Sequence, residues 1–268
     1  MGGAQRADRR RKQRATQAVG SARAVGSAAG GSGDRTRVVT AIAVLLVLAA
    51  AVIGGVLWQH SRSAPPPATA HKVDAAYPVQ LDGAVVVAGA DTAKVTIDVY
   101  EDFLCPACGA FEKRDSAKIE QALTAGTLRV RYHVLNLLDD RSNPPGYSLD
   151  AGSAALCAAD VGAFPSYHAS LFANQPSEGG RGHTTDQLVQ LGHDLGITDS
   201  GFDTCVRSGK HKDDVSAQLQ AAMADPSLRR AGSGGGQYFG TPTVVLAGTV
   251  VDLSKSTWLD DAIRSAAA

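Results

Sequence analysis

Three hydrophobic patterns follow one another along the chain. From Val38 to Trp58, 21 residues run without a charge and consist mainly of Val, Leu, Ile and Ala. At a helical rise of about 1.5 Å per residue this run reaches about 30 Å, the thickness of a bilayer's hydrocarbon core. It is apolar on every face, unlike the one-sided stripe of a helix packed on a soluble core. Lys94 to Tyr100 (KVTIDVY) alternates instead, with Val95, Ile97 and Val99 on one side, which predicts a strand. Pro106 then fits a first helical position, and Phe111, Ile119, Ala122 and Leu123 supply an apolar face up to Gly126. Leu128 to Leu135 (LRVRYHVL) alternates again and closes a strand, helix, strand unit long enough for a parallel crossover.

The third pattern is Ala-rich and helical. It predicts segments near Leu149 to Ala159, Phe164 to Ala173, Thr185 to Leu195, Gly201 to Ser208 and Asp214 to Met223, with no strand-like run between them. Strand character returns at Thr243 to Leu246 and Thr249 to Leu253, joined at Ala247-Gly248, and Ser256 to Ala266 reads as a closing helix. Ala-Gly is a poorer turn pair than Asn-Gly. The order β-α-β, helical block, β-β-α argues for an α/β fold, and no solenoid repeat competes with it.

Charge divides the chain at the apolar run. Lys plus Arg equals Asp plus Glu at 26 each, so the whole chain offers no basic excess for nucleic acid. Up to Arg37, however, nine basic residues face two acids, whereas from Gln59 onward 17 face 24. Short basic flanks stay on the cytoplasmic side, so the sequence predicts a transmembrane anchor at 38–58 with everything after it extracytoplasmic. A cleaved signal peptide is the alternative: Ala49, Ala50 and Ala51 mimic a cleavage site, against an apolar run longer than a usual signal core. Residues 1–37, rich in Gly, Ala, Ser and Arg, read as a disordered tail whose Arg9-Arg10-Arg11-Lys12 cluster serves topology or anionic lipid. Residues 59–78 read as a Pro-rich linker in which Pro65-Pro66-Pro67 favours an extended spacer. A single domain at 79–268, with a helical insertion at about 148–225, completes the organisation.

The chemistry concentrates at Cys105-Pro106-Ala107-Cys108. Two cysteines three apart on a first helical turn share a face and can close a short disulfide. At the cap position Cys105 meets unpaired amide N–H groups and the positive end of the helix dipole, which favour a thiolate. That is the acid-shifted, exposed nucleophile that disulfide exchange requires, while Cys108, one turn in, is shielded and resolves the mixed disulfide. Half of a zinc site is the alternative, but no second CxxC and no HExxH accompanies the pair, so no metal ligands are expected. Cys157 and Cys205 both fall in the helical block. Outside the membrane an even cysteine count favours a structural disulfide between them, against two unpaired core thiols.

At this point the residues resemble a family. Glu101-Asp102-Phe103-Leu104 before the CPAC motif, a helical insertion with its own cysteine pair, and Gly240-Thr241-Pro242-Thr243 before the last hairpin are similar to DsbA-like thiol:disulfide oxidoreductases of the thioredoxin fold, closest to membrane-anchored actinobacterial members. The similarity covers about Val79 to Ala266. It implies that Pro242 is cis and lies beside the active disulfide, with the backbone of Thr241 pairing with substrate peptide. By sequence alone the bond reads as trans, as most X-Pro bonds are. Many relatives carry an acid where Val99 stands, so a carboxylate shuttling a proton from the resolving thiol must be Asp98, Glu101 or Asp102, or be absent. The strongest oxidants of the family have His in the dipeptide where Ala107 stands, so a milder oxidant is expected.

Other features carry less. Gly232 to Gly236 (GSGGG) lacks the Gly-Lys-Ser/Thr ending of a phosphate cradle and reads as a flexible lead-in to the Pro242 loop. His183 and His193 read as solvent-facing or capping, Arg229-Arg230 as a solvated charge pair, and no Gly-x-Ser-x-Gly turn supports a hydrolase. The sequence thus predicts a membrane-tethered, monomeric thiol oxidase without cofactor that passes its Cys105–Cys108 disulfide to reduced exported proteins. The resemblance implies re-oxidation by a quinone-linked membrane partner, DsbB-like or similar to vitamin K epoxide reductase. The alternatives are a reductase or isomerase, and a thioredoxin-fold chaperone or binding module.

Overall fold

The structure, a computed structural model, describes residues 33–62, 65–232 and 235–267. The chain divides into two units, Met1–Ser61 and Arg62–Ala268. Helix α1 (Gly33–Arg62) carries the apolar run and begins inside what the sequence assigned to the tail; residues 1–32 of that tail lie outside the described residues. The described side chains of α1 are those of Val38, Val39 and 41–55, and the large apolar ones, Leu45, Leu46 and Val47 among them, are exposed. Among the described residues no helix is long and apolar enough to cross a membrane.

The second unit is built on a six-stranded sheet in the order β1-β2-β4-β3-β7-β8. Its centre is the predicted strand, helix, strand unit: β3 (Val95–Glu101), α2 (Pro106–Thr124) and β4 (Leu128–Val134), with β3 and β4 parallel. Along β3, Val95, Ile97 and Val99 are buried on one face, and Glu101 continues the same register. On α2 the buried positions Cys108, Phe111, Glu112, Asp115, Ile119 and Ala122 form one inward stripe at helical spacing. Both patterns place a carboxylate where an apolar residue is the rule.

A hairpin of β1 (Val79–Asp82) and β2 (Val85–Ala88), unpredicted, extends the sheet beyond β4. Asp82-Gly83, with Gly83 at φ +61°, marks its turn in the sequence. The helical block resolves into α3 (Tyr147–Asp160), α4 (Phe164–Ala173), α5 (Thr185–Asp194), α6 (Ser200–Ser208) and α7 (Lys212–Ala224). A short pair, β5 (Arg230–Ala231) and β6 (Gln237–Tyr238), flanks the glycine stretch, of which residues 233 and 234 lie outside the described residues. The chain then returns through β7 (Thr243–Leu246), β8 (Thr249–Val250) and α8 (Trp258–Ala267). Strand β8 is shorter than the expected run to Leu253, and its turn holds Ala247 at φ +50° beside Gly248 at φ +77°, the left-handed pair that a tight hairpin requires.

The expectation of a free spacer needs correction. Residues 65–73 lie along α4, whose Ser166, Ser170 and Asn174 recur every fourth residue on one face. Asn174 accepts from the Thr69 amide and donates to its carbonyl, Ser170 does the same with His71, and Ser166 with Val73. Gln187 of α5 donates to the Pro65 carbonyl at 3.1 Å. An extended segment without a ladder of its own has its backbone groups satisfied by this row of side chains.

Candidate active site

Cys105 is the N-cap of α2, with extended φ −71° and ψ 116°, and Pro106 occupies the first turn. Both Cys105 and Cys108 are free thiols, so the structure describes the reduced pair. The Cys105 thiol is lowered to about 6. The Cys108 thiol, donating to the Cys105 sulfur, is the largest cause; burial opposes it, and hydrogen bonds from Thr241 and from the Cys108 and Ala107 amides reinforce it. Cys108 moves the other way, pushed up by its complete burial and by the neighbouring Cys105 charge. One pair of identical side chains is thus split into a nucleophile and a reserve thiol by its position on a single helical turn.

The openness expected of Cys105 is not found: the residue is only 6% exposed, because the loop before β7 lies over it. Its sulfur is 3.3 Å from the Thr241 carbonyl, and the Thr241-Pro242 peptide bond is cis. Arg230, read from the sequence as part of a solvated charge pair, braces this loop. Its Nη2 donates to the Gly240 carbonyl at 2.9 Å and the Pro242 carbonyl at 3.0 Å, while its guanidinium stands 5.5 Å from the Tyr238 ring. From the other side Gln175, just beyond α4, donates to the carbonyls of Phe103 at 3.1 Å and Cys105 at 2.9 Å. Gly109 makes room for it, since a Cβ there would fall 2.3 Å from the Gln175 amide oxygen.

Of the three candidate shuttle acids, Asp98 belongs to the opposite face of β3, paired with His133 at 2.8 Å and Arg131 at 3.3 Å. Asp102 is fully buried and accepts from the Leu104 amide and Ser148 hydroxyl, each at 2.7 Å, and from the Leu138 amide at 2.8 Å. Burial raises its carboxyl to about 6 against those three donors, and the Cys105 charge adds to the rise. Asp102 therefore titrates in the same range as Cys105 and ties the CPAC loop to α3. Glu101 is also buried and meets His168 of α4 at 2.5 Å. Sequence reasoning missed His168, and Glu112 of α2 as well. The signal for both was register: His168 falls in step with the buried Phe164, Tyr167 and Leu171, and Glu112 with Cys108 and Asp115.

Cys157 of α3 and Cys205 of α6 are joined, with S–S 2.01 Å. Of the two readings of His183, capping holds and exposure does not: it is buried and bonds the carbonyl of Asn174, the C-cap of α4, at 2.9 Å. His193 stays at the surface beside Asp203, 2.8 Å away.

A dithiol on the first turn of a helix, opposite a cis-proline loop on a central sheet, defines a disulfide-exchanging protein of thioredoxin architecture. Comparison with known proteins gives the lineage. A family model described as Thioredoxin matches residues 82–263, and the chain belongs to that family. Among solved structures it is similar to the reduced form of the disulfide bond oxidoreductase DsbG from Mycobacterium tuberculosis, with 29% identity, TM-score 0.58, and coverage of 68% of this chain and 86% of that one. It is also similar to reduced DsbA from the same organism, with 27% identity, TM-score 0.59, and coverage of 69% and 93%. With these neighbours the chain is a protein disulfide oxidoreductase of the DsbA type. It is further 33% identical over 180 residues to the serine/threonine-protein kinase PknE of M. tuberculosis, and the match covers 65% of this chain but 30% of that protein. The chain thus spans under a third of the length of the curated relatives it matches.

Proposed function

We propose that this protein is a membrane-tethered, extracytoplasmic thiol oxidase that inserts disulfides into reduced exported proteins. The observation that carries the reading is the opposed tuning of Cys105 and Cys108 beneath the Thr241-Pro242 loop. In the oxidised protein a substrate thiolate attacks the Cys105 sulfur; the Cys105–Cys108 bond breaks, and Cys108, in its apolar burial, takes up a proton. A second substrate thiol then attacks its own sulfur in the mixed disulfide, and Cys105 leaves as the thiolate that the helix terminus and Thr241 favour. The substrate gains one disulfide and the protein is left as the dithiol. A low pKa at Cys105 makes it a good leaving group, which drives the second step toward substrate oxidation.

The anchor rests on the uncharged run 38–58 with nine basic residues before it and Arg62 the nearest after it. An extracytoplasmic site agrees with the Cys157–Cys205 bond, since such bonds persist in oxidising compartments. Each turnover leaves a dithiol, so a quinone-linked membrane partner of the DsbB or vitamin K epoxide reductase class is the fitting re-oxidant. Equilibration of the CPAC pair against thiol buffers tests the direction of exchange. With Ala107 in the dipeptide we expect a potential between about −200 mV and the roughly −120 mV of the strongest oxidants; a value at or below about −270 mV makes the protein a reductase.

A further inference from the structure

Three inward-facing polar residues meet behind the dithiol. Glu101 ends the buried face of β3, Glu112 lies on the buried stripe of α2, and His168 on that of α4. One ligand-type atom from each lies within 4.8 Å of the other two. His168 Nε2 is 2.5 Å from Glu101 Oε1, but Glu101 Oε2 and Glu112 Oε1 are buried without a hydrogen-bond partner. Glu101 is wholly inaccessible and Glu112 is 8% exposed. An unpaired buried carboxylate oxygen costs several kcal/mol in a low-dielectric interior, and here two occur in one cluster. The charges around Glu112 are His168, Glu101, Asp115 and Glu120, of which only His168 can be positive.

The cluster is reachable. A cavity of about 200 Å³ between the 65–78 segment, α2 and α4 is lined by Glu112, His168 and Tyr132, and also by His71, Tyr77 and Glu120. The His168 ring is fixed by Phe103, Tyr132, Phe164 and Phe172, whose centroids lie 5.7, 5.1, 5.1 and 5.0 Å away. A held imidazole and the Glu112 carboxylate face this cavity and the wholly buried Glu101 completes the set, three ligand groups with room for water in the remaining position.

We propose that Glu101, Glu112 and His168 bind a first-row divalent cation, zinc foremost, beside this cavity. Two carboxylates and one neutral imidazole balance a double positive charge, and the imidazole favours zinc or manganese over the all-oxygen preference of calcium and magnesium. Ligand atoms on a tetrahedral zinc with bonds of about 2.0–2.1 Å stand about 3.3 Å apart, so the Glu101–His168 contact opens by under about 1 Å. The ion joins β3, α2 and α4, which fastens the helical insertion to the strand that leads into the CPAC loop. This site is independent of the direction of disulfide exchange.

The test uses the full chain, tag-free, chelator-stripped and with Cys105–Cys108 oxidised, so that no thiolate competes. Calorimetric titration with Zn²⁺ is expected to give one site per chain, and Zn²⁺ to raise the melting temperature. Ca²⁺ at the same concentration is expected to do neither. Co²⁺ should give d–d bands without a sulfur charge-transfer band, and Zn²⁺ should shift the ring resonances of His168 in the unaltered protein. Glu112→Gln should weaken Zn²⁺ binding at least thirtyfold, while Glu120→Gln at the cavity wall changes it less than threefold. Absence of Zn²⁺ binding, or binding that leaves His168 unshifted, overturns the proposal and leaves the cluster held by a shared proton. The His168 resonance decides the matter even if Glu112→Gln fails to fold.

Discussion

The two cysteine pairs put the same side chain to opposite uses. Cys105 and Cys108 share one helical turn, where amides, a second thiol and Thr241 favour a thiolate on the first sulfur. Cys157 and Cys205 come from α3 and α6, 48 residues apart, and meet in the core of the insertion. The Cys205 sulfur lies 3.9 Å from an Asp160 carboxylate oxygen that is itself paired with Lys210 at 2.7 Å and His211 at 2.9 Å. Closing 48 residues into a loop removes denatured-state entropy worth roughly 4 kcal/mol in the chain-entropy model, whereas the CPAC ring restricts few residues. What separates the two pairs is therefore the helix terminus at one and the length of chain closed by the other.

The largest effect expected on this contrast is at Cys105. Cys105→Ser should abolish oxidation of a reduced, unfolded substrate, while Cys108→Ser should accumulate mixed disulfides through Cys105 on non-reducing gels; turnover by Cys105→Ser would erase the division of labour. Next, Cys157→Ser should cost about 2–5 kcal/mol in denaturant unfolding and leave substrate oxidation in place. Loss of exchange by folded Cys157→Ser would show that the two pairs are coupled.

Asp102→Asn sharpens the comparison from the CPAC side. An amide can still accept from Leu104 and Ser148, but it presents N–H to one of the present donors, so a loss of about 1–3 kcal/mol is expected. Removing the negative charge should also move the Cys105 thiol further down, measured by its thiolate absorbance.

The contrast is also expected in pH. Alkylation of reduced protein should rise with a midpoint near 6 at Cys105, with Cys108 unreactive through that range. Because the folded pKa of Cys105 is depressed, its contribution to the stability of the reduced protein is complete above the ordinary thiol range and is lost as pH falls through about 6. The oxidised protein has no thiol at that position. The stability difference between the two forms should therefore shift toward the reduced form as pH rises from about 6 to about 9; a pH-independent difference would place both thiols at ordinary values.

Much of this was written in local pattern. The alternation in β3 and β4, the helical spacing of α2 to α7 and the three-residue spacing of CPAC are each set by neighbours in sequence, because side-chain periodicity and helix capping are short-range properties. The short β1–β2 hairpin escaped although its Asp82-Gly83 turn was legible. The docking of residues 65–73 escaped because a row of Ser166, Ser170 and Asn174 acquires meaning only when an extended segment lies against it.

The sequence by itself determined the order of the central strand, helix, strand unit, the helical block and the closing hairpin and helix, and it placed a cysteine at the cap of α2. Tertiary structure alone decided that Thr241 covers Cys105, that Arg230 and Gln175 brace the loops around it, and that Glu101, Glu112 and His168 face one another. Register showed that these three turn inward, but β3, α2 and α4 are separated along the chain. Which buried charges become neighbours depends on how strands and helices pack, and the electrostatics of a buried group depends on those neighbours more than on its own position in sequence.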